Sequence, residues 1–311
     1  MKNWVGKVVV FGLAAVVGLG LLGACATPAE EETGPREFID QLGRTVTLDG
    51  IPERIISIGP SNTEILFAIG LADKVVAVTD YGDYPEEATL KESVGSYIKP
   101  DIEQIVGLSP DVIFATNVHA EEVIPALERV GITVIALDPA NFDEILEAIE
   151  LIGEVTGNQD EAEDLVSEMT KRLKAITDKT SGLSAAERPR VFYVVWYDPL
   201  MSAGSDTFQD DLIAKAGGTN IAKDLTGWVT IGLETVLEAN PEVMIAGVNH
   251  VNIDDQNFLF IKAEERLSDT DARQNGRVFE IDANLVSRTG PRIIDGLEAL
   301  AALIHPDLFG E

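Results

Sequence analysis

Residues 97–119, YIKPDIEQIVGLSPDVIFATNVH, lie over residues 228–250, WVTIGLETVLEANPEVMIAGVNH, without a gap. Each copy carries an aromatic, a glutamate, a proline followed by an acid, and a histidine at the same offsets. These are Tyr97, Glu103, Pro110, Asp111 and His119 against Trp228, Glu234, Pro241, Glu242 and His250. The apolar positions agree as well: Ile105 with Val236, Val112 with Val243, Ile113 with Met244 and Ala115 with Ala246. Such a repeat points to two pseudo-equivalent lobes. In each, the glutamate opens a helix, where its charge favours the positive end of the helix dipole. The proline and acid turn the chain, and the apolar run that follows is a strand leading to a loop with a histidine.

Outward from these segments, short Val- and Ile-rich runs alternate with helical stretches. Strands are predicted at 55–58, 75–78, 112–115 and 134–137, with helices at 63–69, 102–107 and 120–130 between them. A second series has strands at 191–195, 243–246 and 278–281 and helices near 208–216 and 293–304. Alternation of this kind predicts an α/β fold of two Rossmann-like lobes with mainly parallel sheets. From Phe142 to about Thr180 the apolar residues fall at helical spacing, interrupted by Gly153 and by Gly157-Asn158. We read one helix closing the first lobe and a second, from near Gln159, crossing to the other. The organisation expected is an N-terminal lobe over 37–157, an interlobe helix over 158–182 and a C-terminal lobe over 183–311. A long backbone helix as the link resists wide hinge opening.

Helix-start electrostatics would explain Glu103 or Glu234 alone, but a pair at one offset on two lobes points to a shared role. Loops beyond the carboxyl ends of parallel strands line the ligand crevice. That rule brings His119 and His250 to the cleft, as ligand contacts or as solvated loop side chains.

The first residues carry a different message. Lys2 and Lys7 flank an apolar run from Val8 to Leu22 that meets Gly23, Ala24 and Cys25, which reads as an export signal over 1–24. Leu22-Gly23-Ala24-Cys25 resembles the bacterial lipoprotein box, which makes Cys25, the sole cysteine, the expected site of lipidation. Residues 25–36 are polar and proline-containing and read as a tether. The expected location is extracytoplasmic, on a membrane through the lipid anchor.

The formal charge is −30. Nucleic acid is excluded as a partner on that balance, whereas a basic protein face is favoured. Enzyme signatures are missing: there is no Gly-x-Ser-x-Gly elbow, no phosphate loop and no His-Glu-x-x-His. With only His119, His250 and His305, a closed site of nitrogen ligands for a bare metal would need carboxylates to complete it.

Two further stretches carry a family resemblance. Ser57-Ile58-Gly59-Pro60-Ser61-Asn62-Thr63-Glu64 with Phe67-Ala68 and Gly70-Leu71, and Tyr81-Gly82-Asp83-Tyr84-Pro85, resemble the cobalamin and iron-chelate group of ABC-importer binding proteins. The second stretch is similar to the segment of its cobalamin binders, and the likeness covers nearly all of the chain beyond the tether. It implies two lobes on a backbone helix, a monomer, and a shallow cleft for a corrinoid. Glu103 and Glu234 would meet arginines of the permease, which works with its ATPase. The ligand-facing positions would be Tyr81, Tyr97, Trp196 and Trp228, flat aromatics suited to a broad, partly apolar plate with amide edges. Residues 282–292 resemble the last cleft loop, adding Asn284 and Arg288; Asn284 stands where cobalamin binders have aspartate, which leaves other corrinoids open. Heme or a ferric siderophore is the rival on the same scaffold, because His119 and His250 could approach a planar ligand from opposite lobes. No resident cofactor or metal is expected. Ser61-Asn62-Thr63-Glu64 fits a capping box, so Glu64 is assigned to structure.

Overall fold

The computed structural model describes residues 34–248 and 255–310. Cys25, the export signal and His250 lie outside the described residues. A hairpin, Pro35–Ile39 with Thr45–Asp49, comes first. The expected tether therefore ends two residues early, because Arg36 is held in place: its guanidinium donates to the carbonyls of Glu154, Val155 and Gly50. The first two are carbonyls that the end of the helix Phe142–Thr156 would leave without partners.

The N-terminal sheet has five parallel strands in the order Glu92–Ser93, Val75–Val78, Ile55–Ser57, Val112–Thr116, Val134–Leu137. The C-terminal sheet has four, in the order Thr219–Asn220, Arg190–Val194, Val243–Val248, Val278–Asp282, again parallel. Val112 to Ala115 and Val243 to Val248 are buried on both faces, as central parallel strands are. Strand order reverses between Ile55–Ser57 and Val112–Thr116 in one lobe, and between Arg190–Val194 and Val243–Val248 in the other. Both reversals place a crevice at the carboxyl edge of the sheet.

The repeated Pro-acid pair has a structural cause. Asp111 accepts from the backbone N–H groups of Glu53 and Arg54, while the Arg54 side chain caps the carbonyls of Leu108 and Ser109. In the second lobe Glu242 accepts from the Arg190 N–H, and Arg190 caps Ala239 and Asn240. The helices Ile102–Leu108 and Leu233–Ala239 both end on a left-handed residue, Ser109 and Asn240. Each acid thus fixes the start of the neighbouring strand against the turn that feeds its own.

The helix Phe142–Thr156 runs through Gly153 rather than breaking there. A Cβ at Gly153 would lie 2.4 Å from that of Ala162, so the glycine allows the helix Gln159–Thr180 to pass close by. Gly157, at φ +75, ends the first helix in the left-handed region. These two helices are the centre of one continuous core. It joins Ile65, Phe114 and Ile149 of the first lobe to Met169, Ile176, Val191, Phe208 and Ile293 on the far side. Smaller clusters cover the outer face of each sheet. The two lobes therefore share one core through the linking helices.

A small sheet escapes the sequence pattern, as do the hairpin and the strands Glu92–Ser93 and Thr219–Asn220. Trp228–Thr230, Leu200–Ala203 and Trp196–Tyr197 form a three-stranded antiparallel sheet. Trp196 is on its edge strand.

Candidate ligand-binding cleft

The carboxyl edges of the two parallel sheets face each other across a hollow of about 390 Å³. The first lobe contributes Ser61, Tyr97, Thr116, Asn117 and Asp138 to its walls; the second contributes Val195, Phe208, Gln209, Trp228, Ser287 and Thr289. A smaller hollow of about 150 Å³ adjoins it, sharing Val195, Gln209 and Ser287 and reaching Trp196, Tyr193 and Asn257.

Trp228 is half exposed and oriented from two sides. Its Nε1 donates to Gln209 Oε1 at 3.2 Å, and its ring meets Phe208 edge-on with centroids 6.1 Å apart. Gln209 is itself fixed by donating to Val286 O at 3.3 Å. Trp196, 41 % exposed, donates through Nε1 to Asp198 O, and its ring lies 5.5 Å from that of Tyr197. Tyr97 enters from the other lobe with its hydroxyl 3.1 Å from Thr116 Oγ1. Burial raises the Tyr97 phenol above its ordinary value, so it stays a neutral hydroxyl. Tyr97, Trp196 and Trp228 thus come together in the adjoining hollows. Tyr81 does not line either of them; 56 % exposed, it stands beyond the carboxyl end of the strand Val75–Val78. Asn284 is half-buried in the first turn of the helix Ala283–Ser287, and the wall beside it comes from Ser287 and Thr289 instead.

His119 is corrected outright. It is 0 % exposed, and both ring nitrogens are engaged. Nδ1 accepts from the Thr116 N–H at 3.1 Å, and Nε2 lies 2.6 Å from the Tyr97 carbonyl, which can only accept. The ring is therefore neutral with its proton on Nε2, and it packs edge-on to Tyr97. It is neither a ligand contact nor a solvated loop residue; it props the Tyr97 backbone against the strand end. Burial lowers its pKa from the ordinary 6.5, against the opposing pull of its backbone hydrogen bonds. As pH falls through 6.5 the unfolded chain takes up this proton more readily than the folded one, so stability declines. Urea unfolding at about pH 7.5 and about pH 5.5 reads that loss, and the loss is smaller in His119→Gln.

Arg288 is corrected as well. Only 8 % exposed, it donates to Asp83 at 2.6 and 3.2 Å and to Glu64 Oε1 at 3.3 Å. Arg292 grips the same Glu64 through both carboxylate oxygens, at 2.6 and 2.9 Å, and lies 3.7 Å above the Tyr84 ring. Burial lowers the Arg292 pKa, but Glu64, with Tyr84 and Asp282, holds the guanidinium above its ordinary value. The expected capping box is not formed: the helix Pro60–Ala68 begins from Gly59 with no side-chain cap. Glu64 is structural in another way, since it ties the first lobe to the loop preceding the last long helix.

With Arg288 occupied, the charge in the cleft is one-sided. Asp138 is the one carboxylate or cation among the described residues lining the two hollows. Burial raises its pKa, the Asn117 hydrogen bond lowers it, and Glu144 raises it again. Asp138, Asn117, Gln209 and Thr289 were not singled out from sequence. Asp138 had a usable signal, since it directly follows a predicted strand at the carboxyl edge.

Glu103 and Glu234 are exposed in the first turns of their helices, each opening toward the carboxyl edge of its sheet. One lies on each lobe.

Residues 55–285 match the periplasmic binding protein family. The chain belongs to that family, whose members are substrate-binding proteins of transporters. It is 35 % identical, over the whole of both chains, to the uncharacterized ABC transporter substrate-binding lipoprotein YvrC of Bacillus subtilis. It is 30 % identical to a cobalamin-binding protein of Halobacterium salinarum, across 91 % of this chain and 75 % of that one. The periplasmic vitamin B12 binding protein BtuF of Vibrio cholerae superposes with a TM-score of 0.71 at 27 % identity, covering 82 % of this chain and 97 % of the other. Periplasmic heme-binding proteins share the fold too, so the fold does not choose the ligand. Among the described residues no helix is long and apolar enough to cross a membrane.

Proposed function

We propose that this protein captures a corrinoid, cobalamin or a relative, in the interlobe cleft and hands it to the permease of an ABC importer, held at the membrane by a lipid on Cys25. The observation that carries this reading is the cleft itself. Aromatic surface from Tyr97, Trp196 and Trp228 is combined with neutral hydrogen-bonding groups, the single carboxylate Asp138 and no free cation among the described lining residues. A broad neutral or cationic plate with amide edges suits such walls. Anionic chelates and heme carboxylates instead require a positive partner, and Arg288 and Arg292 are already held by Glu64 and Asp83. Cobalamin-binding relatives support the same choice.

Delivery rests on Glu103 and Glu234. An acidic protein meeting a basic permease face gains its encounter rate from the overall field, and two carboxylates at separate points set the docking register. Replacing both with lysine is expected to abolish corrinoid uptake in cells carrying the importer while leaving corrinoid binding by the purified protein unchanged. Full uptake by the double variant would remove them from the interface.

A further inference from the structure

The smaller hollow holds a group that nothing so far employs. Asn257, on the helix Asp255–Ala263, lines it and is 4 % exposed. Its Nδ2 donates to Val195 O at 3.2 Å. A carbonyl accepts only, so the amide nitrogen must face the strand and Oδ1 is left as a free acceptor. Among the described residues Oδ1 has no donor. Two neighbouring N–H donors are committed, Trp196 Nε1 to Asp198 O and Gln209 Nε2 to Val286 O. The Tyr193 phenol, which burial has pushed up to about 12 and so keeps protonated, lines the same hollow with Ser287 and makes no hydrogen bond to Oδ1. A buried amide oxygen left this way is unfavourable unless a donor arrives from outside.

We propose that the hollow is a subsite for one peripheral carboxamide arm of the ligand, with Asn257 Oδ1 accepting from its NH₂ group. This deepens the corrinoid reading and rests on it. A volume of about 150 Å³ is the size of a cavity that takes up benzene, enough for a propionamide arm. A carboxylate in the same place brings acceptor against acceptor, so the subsite selects an amide over its acid.

The test titrates cobinamide, and a corrinoid whose peripheral amides are hydrolysed to carboxylates, into the purified wild type and Asn257→Leu. The wild type is expected to favour the amide form, and Asn257→Leu to bind cobinamide about tenfold more weakly with reduced preference over the acid. A crystal structure of wild type with cobinamide, independent of whether the variant folds, is expected to show a carboxamide nitrogen within about 3 Å of Oδ1. Equal binding by both proteins, or an ordered water alone on Oδ1 beside bound cobinamide, overturns the subsite and leaves the corrinoid reading standing. Failure of the wild type to bind any corrinoid overturns that reading and the subsite with it.

Discussion

Glu64→Ala lowers the stability of the protein by about 3–5 kcal/mol, the range for removing one partner of a buried ion pair. The size follows from what is stranded. Glu64 is 2 % exposed and is the carboxylate that holds Arg292, through Nε and Nη2, while Arg288 touches it from the other side. Arg288 retains Asp83, so Arg292 bears most of the loss. Glu64→Gln keeps acceptor geometry without the charge and falls between the two. Because the pair joins the lobes, ligand affinity declines in the same variants. Equilibrium urea unfolding reads the first effect; a change within about 0.5 kcal/mol, the level of an ordinary surface substitution, would contradict the assignment.

Trp228→Ala weakens ligand binding by about 2–4 kcal/mol, on the order of a hundredfold, as removal of a central aromatic anchor does. The ring is half exposed and already oriented by Gln209 and Phe208, so little freedom is lost when a ligand covers it. Trp228→Phe keeps the flat surface and retains most of the affinity. Thermal unfolding of both variants stays close to wild type, since the side chain fills no core. A large loss of stability with unchanged affinity would place the ring in the fold rather than the site.

The parallel strands were legible because residues buried on both faces leave continuous apolar runs, as in Val134–Leu137. The repeat was legible for a deeper reason than shared function: Asp111 and Glu242 each clamp a strand start to a helix end, a local requirement that sequence spacing preserves. Trp228–Thr230 was not seen, since a three-residue edge strand offers no period to read. Side-chain roles that depend on distant partners were misread. His119 follows a strand, where a cleft residue is expected, yet its ring turns back to Thr116 and Tyr97. Arg288 sits in a cleft loop, but Glu64 and Asp83, more than two hundred residues away, take its charge. Glu64 matched a capping pattern three residues from Ser61, and the actual helix start at Pro60 made that pattern irrelevant. Of the four aromatic positions, Tyr97, Trp196 and Trp228 border the adjoining hollows while Tyr81 borders neither.

We propose that the aromatic cleft, which carries Asp138 but no cation among its described lining residues, selects a corrinoid. Titration calorimetry of the purified protein with cyanocobalamin, cobinamide, hemin and a ferric siderophore tests it most directly. Submicromolar binding of at least one corrinoid and much weaker binding of hemin and siderophore are expected. Submicromolar hemin with neither corrinoid bound would contradict it.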